Sequence, residues 1–348
     1  MDWLKEILKK AGIPHAAFRV VKNEAELKLA IEALGTPCVI KTADFGYDGK
    51  GQQKLTGGED CQTVWKSLGA PRGVVEKWVD FVMEISVVCA RARNGAFVHY
   101  PACENVHAHH ILDITVAPAR IAPSVAREAA ELAESIAKAL DYTGTLAVEM
   151  FVTADGAILV NELAPRPHNS GHHTIDACVT NQFQQQLRTV AGLPPGDPRQ
   201  HTPAAMVNLL GDLWPAPERH PDWTPVLSHP RAFLHLYGKR IAKPRRKMGH
   251  FTVLGDTVEA ALNDAVKLAA KLEAEGTKVF ITRGGTAELI RRVVQVPVVT
   301  VKYTYFDFAY AMEHGGPITR GFLSALPDGW KSEPLVFDSR VHMLMPGW

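Results

Sequence analysis

The stretch TLAVEMFVTADGAILVNELAPRPHNSGHH, residues 145–173, constrains this chain more than any other. Two apolar, β-branched runs flank Asp155-Gly156, the strongest short-range signal for a hairpin closed by a two-residue type I′ turn. Such a turn pairs Glu149 directly with Glu162, and opposed carboxylates repel across a sheet. A divalent cation resolves that conflict. So does protonation of one glutamate, or a side chain turned to solvent, and the pair alone leaves these open. The polar groups that follow, Asn161, Arg166, His168, Asn169 and Ser170, favour a site. By strand alternation Asn161 is expected on the face opposite Glu162.

The chain around this hairpin is ordinary for a globular protein: 348 residues, 46% hydrophobic and 22% charged. Lys and Arg number 38 against 37 acidic residues, a formal balance of +1, so no global field favours nucleic acid or an anionic membrane. Cys38, Cys61, Cys89, Cys103 and Cys178 are odd in number and scattered without a CxxC, which argues against a disulfide framework or zinc knuckle and for a reducing cytosol. The first twenty residues are amphipathic and charged, unlike a signal peptide. No apolar run reaches the length of about eighteen residues that a membrane span needs. A cytoplasmic, soluble protein is expected.

Hydrophobic periodicity predicts helices over 2–11, 23–34, 124–140, 181–190 and 257–274. Asn23 reads as an N-cap with Glu26 as its reciprocal partner. Strands are expected at 16–21, 37–41, 73–79, 83–93, 204–209 and 232–237. Beyond residue 277 the pattern becomes one βαβ unit, with strands at 278–282 and 296–302 around a helix at 287–293. Arg283-Gly-Gly-Thr286 reads there as a tight turn or as an anion site at a helix N-terminus.

Several segments carry chemistry. Lys41 ends an apolar strand, and Phe45-Gly-Tyr-Asp-Gly-Lys-Gly-Gln52 follows it. Its glycines let backbone N–H groups turn toward an anion, and Lys50 adds charge. It is not a Walker A loop, and an ordinary turn at Asp48-Gly49 is the competing reading. Glu76-Lys77-Trp78-Val79 offers a strand edge and a flat apolar wall to a purine; a surface strand with a buried aromatic is the alternative. Glu84 suits ribose hydroxyls or plain solvation. His107 and His110 lack a third ligand and a helix, so a nucleotide contact or a structural role is favoured over zinc. Glu149 and Glu162 suit magnesium, a hard cation with oxygen ligands and room for phosphates. The dense basic run Lys239 and Lys243-Pro-Arg-Arg-Lys-Met-Gly-His250 fits a phosphorylated small molecule better than nucleic acid.

Taken together these blocks resemble the ATP-grasp superfamily, and within it the 5-(carboxyamino)imidazole ribonucleotide synthase family of purine biosynthesis. The resemblance rests on Gly46–Gln52, Glu76–Val79, Glu104-Asn-Val-His107, Asn161–His172 and Arg246–His250, in the family's order over residues 1 to about 265. It implies an α+β ATP-grasp fold, two α+β subdomains sandwiching ATP, with a C-terminal α/β appendage. It implies that Lys41, Gly46, Tyr47, Asp48, Gly49, Lys50, Gly51 and Gln52 surround the ATP phosphates. Glu76, Lys77, Trp78 and Val79 would hold adenine, Glu84 the ribose, with His107 nearby. Glu149 and Glu162 would bind Mg2+, for which Mn2+ can substitute, with Asn161 alongside. Arg166, His168, Lys239 and Arg246 would be catalytic. Tyr47, Asp48, Lys50, Asn169, Ser170, Lys239, Arg246 and Lys247 would bind the aminoimidazole ribonucleotide.

The implied reaction is ATP- and bicarbonate-dependent carboxylation of 5-aminoimidazole ribonucleotide through carboxyphosphate, by a homodimer without nucleic-acid or membrane partners. Residues 1–83 are expected to form a linker and lid subdomain, 84–274 the core and C-terminal family domain, and 275–348 a βαβ-like extension. Family members carry a further Rossmann-like domain ahead of this region, which the chain is expected to lack. Residues 280–292 and 297–302 resemble part of the sensory domain of propionate-catabolism regulators. Arg245 stands where the family tends to have glycine. Two alternatives stay open: a non-catalytic nucleotide-binding remnant serving as sensor or subunit, and a ligase for another amine or carboxylate.

Overall fold

A computed structural model describes residues 2–43 and 51–273, together with the backbone of strands 280–282 and 298–300. The glycine-rich residues 44–50, the turn 283–286, the helix expected at 287–293 and the tail lie outside the described residues. In chain order the elements are α1 (Asp2–Lys10), β1 (Phe18–Val21), α2 (Glu24–Leu34), β2 (Cys38–Thr42), β3 (Gln52–Leu55), α3 (Cys61–Leu68), β4 (Gly73–Lys77), β5 (Phe81–Arg91), β6 (Phe97–His99), β7 (Cys103–Ala108), β8 (Ile111–Ala117), α4 (Pro123–Ala139), β9 (Gly144–Thr153) and β10 (Ile158–Ala164). Then follow α5 (Thr174–Ala177), α6 (Gln182–Val190), β11 (Ala204–Leu210), α7 (Thr224–Leu227), β12 (Ala232–Leu236), β13 (Lys247–Leu254), α8 (Val258–Glu273), β14 (Phe280–Thr282) and β15 (Val298–Thr300).

The chain divides into two compact units, one of residues 1–208, 231–233 and 250–262, the other of 209–230, 234–249 and 263–348. The first holds a four-stranded sheet in the order β1-β4-β2-β3. Its β-branched strands bury one face against α2 and α3 through Val21, Leu27, Ala30, Ile40, Leu55, Val64 and Val75. Asn23 caps α2 as expected, accepting from the Glu26 amide at 2.9 Å. The reciprocal Glu26 carboxylate reaches the Lys22 amide instead of that of Asn23.

A larger sheet runs β10-β9-β5-β7-β8-β11-β13-β12, with β6 on β5. One face of β9, β5 and β10 packs against α4 and α1 through Leu4, Leu8, Ile85, Val87, Ile136, Leu146, Val148, Met150, Ile158 and Val160. The opposite face of the same strands carries Ser86, Glu149 and Glu162, which are cross-strand partners in one row. A single 3-10 turn, Asn169–Gly171, follows β10 and contacts β5 and β8. Beyond α8, β14 and β15 pair in parallel. Among the described residues no helix is long and apolar enough to cross a membrane.

Candidate active site

The hairpin pairs Glu149 with Glu162, as the sequence predicts, but by a different route. The turn is not a two-residue type I′ turn. Thr153 and Ala157 close a three-residue loop, Ala157 accepting from the Thr153 amide at 3.0 Å, and Gly156 takes φ +84°. That slips the register by one, and Val160 pairs with Met150. A β-bulge at Asn161 then inserts one residue and restores the Glu149–Glu162 pairing.

The bulge also changes faces. Val160 and Leu163, three residues apart, both pack into the α4 core, so strand alternation switches phase between them. Asn161 and Glu162 therefore share the face that alternation alone would have split. Asn161 Oδ1 accepts from Lys41 Nζ at 3.2 Å. The expectation that Asn161 lies opposite Glu162 is corrected by this extra residue.

Electrostatics follow from the geometry. Burial, and then the neighbouring Glu149 carboxylate, push the Glu162 carboxyl above its ordinary range, with Lys41 and His168 pulling the other way. Glu149 Oε1 lies 2.9 Å from His168 Nε2. Lys41 Nζ lies 3.4 Å from Glu76 Oε2, and the same oxygen is 3.1 Å from Lys5 Nζ. Lys5, fully buried on α1, was not singled out in the sequence. It sits on the inward helix face with Leu4 and Leu8, and a lysine at an apolar position is the one signal that pointed to it. Burial lowers its affinity for a proton, and Glu76 opposes that.

The other predicted residues fall into two groups. In the first unit, Glu84 contacts His107 Nδ1. Trp78 lies beneath Lys54 Nζ, 3.7 Å from the ring centroid, and donates from its indole to Asp80. Lys77 is exposed and Val79 half-buried. His109 and His110 adopt φ +51° and +63° and make the tight β7–β8 turn. Gly51 sits at φ +73° where a Cβ would meet Thr42 Oγ1 at 2.7 Å, so glycine is required where the loop meets β3. Arg166 is exposed, donating to the Pro167 carbonyl. Both side-chain polar atoms of Asn169 are buried without a protein partner. Ser170 is fully buried, bonded to Ser86 at 2.7 Å and to His168 Nδ1 at 2.9 Å.

In the second unit, Lys239 Nζ donates to the Lys247 carbonyl, and the Arg246 guanidinium donates to the Ile241 carbonyl at 3.0 Å. Burial, then Arg246 and Lys247, lower the proton affinity of Lys239. Cations that crowd one another in this way suit an anion. Arg245 occupies φ +63°, the left-handed region that glycine enters freely, and its amide donates to Asp212.

Sequence reasoning also missed Gln182. Its fully buried side chain clamps His168 from both sides: Oε1 accepts from the His168 amide at 2.8 Å, and Nε2 donates to the His168 carbonyl at 2.8 Å. It stands at the start of α6, whose buried face is polar, with Gln185 and Thr189. Periodicity treats such a face as the solvent side, so no signal pointed to it.

Among the described residues no three His, Cys, Asp or Glu converge on a metal site. Two facing carboxylates fit a cation whose other ligands come from phosphate oxygens, and burial together with the Glu149 carboxylate raises the proton affinity of Glu162.

The ATP-grasp domain profile matches residues 6–183, that of the phosphoribosylaminoimidazole carboxylase C-terminal domain residues 204–264, and that of a propionate catabolism activator residues 254–316. The N5-carboxyaminoimidazole ribonucleotide synthase of Bacillus subtilis is 44% identical over 250 residues, covering 72% of this chain and 64% of the relative. The Brucella melitensis synthase is 41% identical, covering 71% of this chain and 67% of its own length. The solved Aspergillus clavatus synthase, in complex with ADP and 5-aminoimidazole ribonucleotide, superposes with TM-score 0.71 at 34% identity, covering 78% of this chain and 71% of its own. The chain belongs to the ATP-grasp family, and within it to the family of the N5-carboxyaminoimidazole ribonucleotide synthases.

Proposed function

We propose that the chain is an ATP-grasp ligase that carboxylates the exocyclic amine of 5-aminoimidazole ribonucleotide with bicarbonate and ATP, releasing ADP and phosphate, in the cytoplasm. One observation carries the reading: Glu149 and Glu162 oppose each other beside Lys41 and His168, with Glu162 raised in proton affinity by burial and by Glu149. Glu149 and Glu162 would hold magnesium, or manganese in its place. When bound, the cation supplies charge neutralisation at the phosphoryl group being transferred.

The chain's own groups do the rest. Lys41, with the glycine-rich residues Gly46 to Gln52, binds phosphate oxygens. The backbone of Glu76 to Val79 reads the adenine edge, because the Glu76 carboxylate is committed to Lys5 and Lys41. Glu84, with His107, serves the ribose. Arg166, His168 and Asn169 hold bicarbonate while its oxygen attacks the γ-phosphorus, which forms carboxyphosphate as the bond to ADP breaks. Carboxyphosphate then gives phosphate and CO2, whose carbon the amine captures with loss of a proton. Lys239, Arg246 and Lys247 hold the ribonucleotide phosphate. The reading includes a homodimer, which light scattering on the purified chain checks.

Phosphate release from ATP is expected to need both bicarbonate and the ribonucleotide. Glu162→Gln should lower kcat at least 1000-fold, about 4 kcal/mol of barrier. Wild-type protein that binds Mg-ATP calorimetrically yet releases no phosphate would overturn the proposal and leave a nucleotide-binding module.

A further inference from the structure

Three adjacent strands carry a row of buried polar side chains. Ser86 on β5, Asn105 on β7 and Thr115 on β8 are all buried, and Asn105 and Thr115 are cross-strand partners. The row continues through Ser170 to His168 and ends at Glu149. Its distances are 3.1 Å from Thr115 Oγ1 to Asn105 Oδ1, 2.9 Å from Asn105 Nδ2 to Ser86 Oγ, and 2.7 Å from Ser86 Oγ to Ser170 Oγ. Ser170 Oγ is then 2.9 Å from His168 Nδ1, and His168 Nε2 is 2.9 Å from Glu149 Oε1.

Each bond has a direction. The Asn105 amide turns Oδ1 to Thr115, which therefore donates, and Nδ2 to Ser86. Nδ2 has only protons to give, so Ser86 accepts there; of its two other neighbours, Cys103 Sγ at 3.1 Å and Ser170 Oγ at 2.7 Å, the hydroxyl of Ser170 is the nearer and stronger acceptor of its proton. Ser170 in turn gives its proton to His168 Nδ1. The Ser170 backbone amide also points at Nδ1, at 3.4 Å, so that nitrogen meets donors alone. The carboxylate at the far end only accepts, which places the ring proton on Nε2.

We infer that Thr115, Asn105, Ser86 and Ser170 form a directed hydrogen-bond chain that fixes the orientation and tautomer of His168 and presents Nε2–H to Glu149. Ser86, Asn105 and Thr115 are thus positioning residues for the carboxylate that the proposed function assigns to the metal. Ser170, fully buried within the chain, belongs with them. The inference rests on the proposed function only for the purpose of the device; the bond directions stand without it.

The test reverses the chain by one atom. In 15N-histidine-labelled protein, with His168→Gln identifying the signal, long-range proton–nitrogen spectra read each ring nitrogen. The wild type should show an unprotonated, acceptor-type Nδ1 and a protonated Nε2. Asn105→Asp offers Ser86 an acceptor in place of a donor, so each hydroxyl should turn round and Nδ1 should become protonated. Ser86→Ala, which buries no new charge, interrupts the chain and should move the Nδ1 signal away from the wild-type position. A protonated Nδ1 in the wild type, or an Nδ1 signal unchanged in both variants, would overturn the inference. The spectra need no turnover: the expected pattern without phosphate release supports the chain and removes the carboxylation reading, and release with the wrong pattern does the opposite.

Discussion

His173 shows how much of this site's chemistry depends on what surrounds a residue. Its neighbours in sequence, His168 and His172, are half-buried, whereas His173 is buried and donates from Nδ1 to the Ser170 carbonyl at 2.8 Å. Its Nε2 is buried with no partner, so a second proton there has nothing to bond. Burial depresses its proton affinity to about 4. The unfolded chain takes up that proton near the ordinary value of about 6.5, so its contribution to stability is complete above that pH and is lost as pH falls toward 4. The loss is on the order of 3 kcal/mol. Denaturant melts at pH 7.5 and pH 5 should show His173→Asn with a shallower pH slope than the wild type. Parallel slopes would mean that the imidazole titrates as an exposed one.

Turns and bulges decide what the strands present. Asp155-Gly156 announces a two-residue turn and forms part of a three-residue one, while His109-His110, with no Asn or Gly, makes the two-residue turn between β7 and β8. The hairpin at 145–164 was legible because long β-branched runs fix strand identity whatever the turn. The β7–β8 hairpin was not, since its two turn residues are exposed histidines with positive φ, where the local signal for such a turn is Asn or Gly. The glutamate pairing was legible only because loop and bulge offset each other. Gln182, a buried polar group on a helix, was illegible because its partners lie in another segment, and Lys5 left only its place on the apolar helix face as a signal. The bulge itself is testable. Deleting a strand residue normally turns every later side chain to the other face. Deleting Asn161 should instead restore regular alternation and leave Glu162 opposite Glu149, with Leu163 still inward. The deletion variant should fold with stability within about 1 kcal/mol of wild type. It loses one acceptor of Lys41, which keeps Glu76, and its Mg-ATP affinity should fall about tenfold, the equivalent of ~1.4 kcal/mol. Calorimetry checks the affinity, and collapse of the fold would show that the bulge is structural alone.

Across the molecule, the residues assigned to ATP and those assigned to the ribonucleotide phosphate segregate. Lys41, Glu76, Glu84, Glu149, Asn161 and Glu162 belong to the first unit; Lys239, Arg246 and Lys247 belong to the second. The net charge of +1 gives no long-range attraction for a phosphorylated substrate, so local crowding of cations must supply it. Lys239 shows that crowding, its proton weakened by burial and by Arg246 and Lys247. Lys239→Gln should therefore raise KM for the ribonucleotide by 10-fold or more, at least ~1.4 kcal/mol, while the dissociation constant of Mg-ATP stays within about twofold, ~0.4 kcal/mol. Sign follows from the same crowding. A lysine with lowered proton affinity loses its charge as pH rises, below the ordinary range of about 10.4. KM for the ribonucleotide should thus climb on the alkaline side earlier than an ordinary lysine would cause, and that climb should vanish in Lys239→Gln. Added salt should raise KM as well, because exposed charges are screened over about 10 Å at 0.1 M. Equal losses of ATP and ribonucleotide binding in Lys239→Gln would refute the division, since a cation that served both ligands would not spare one.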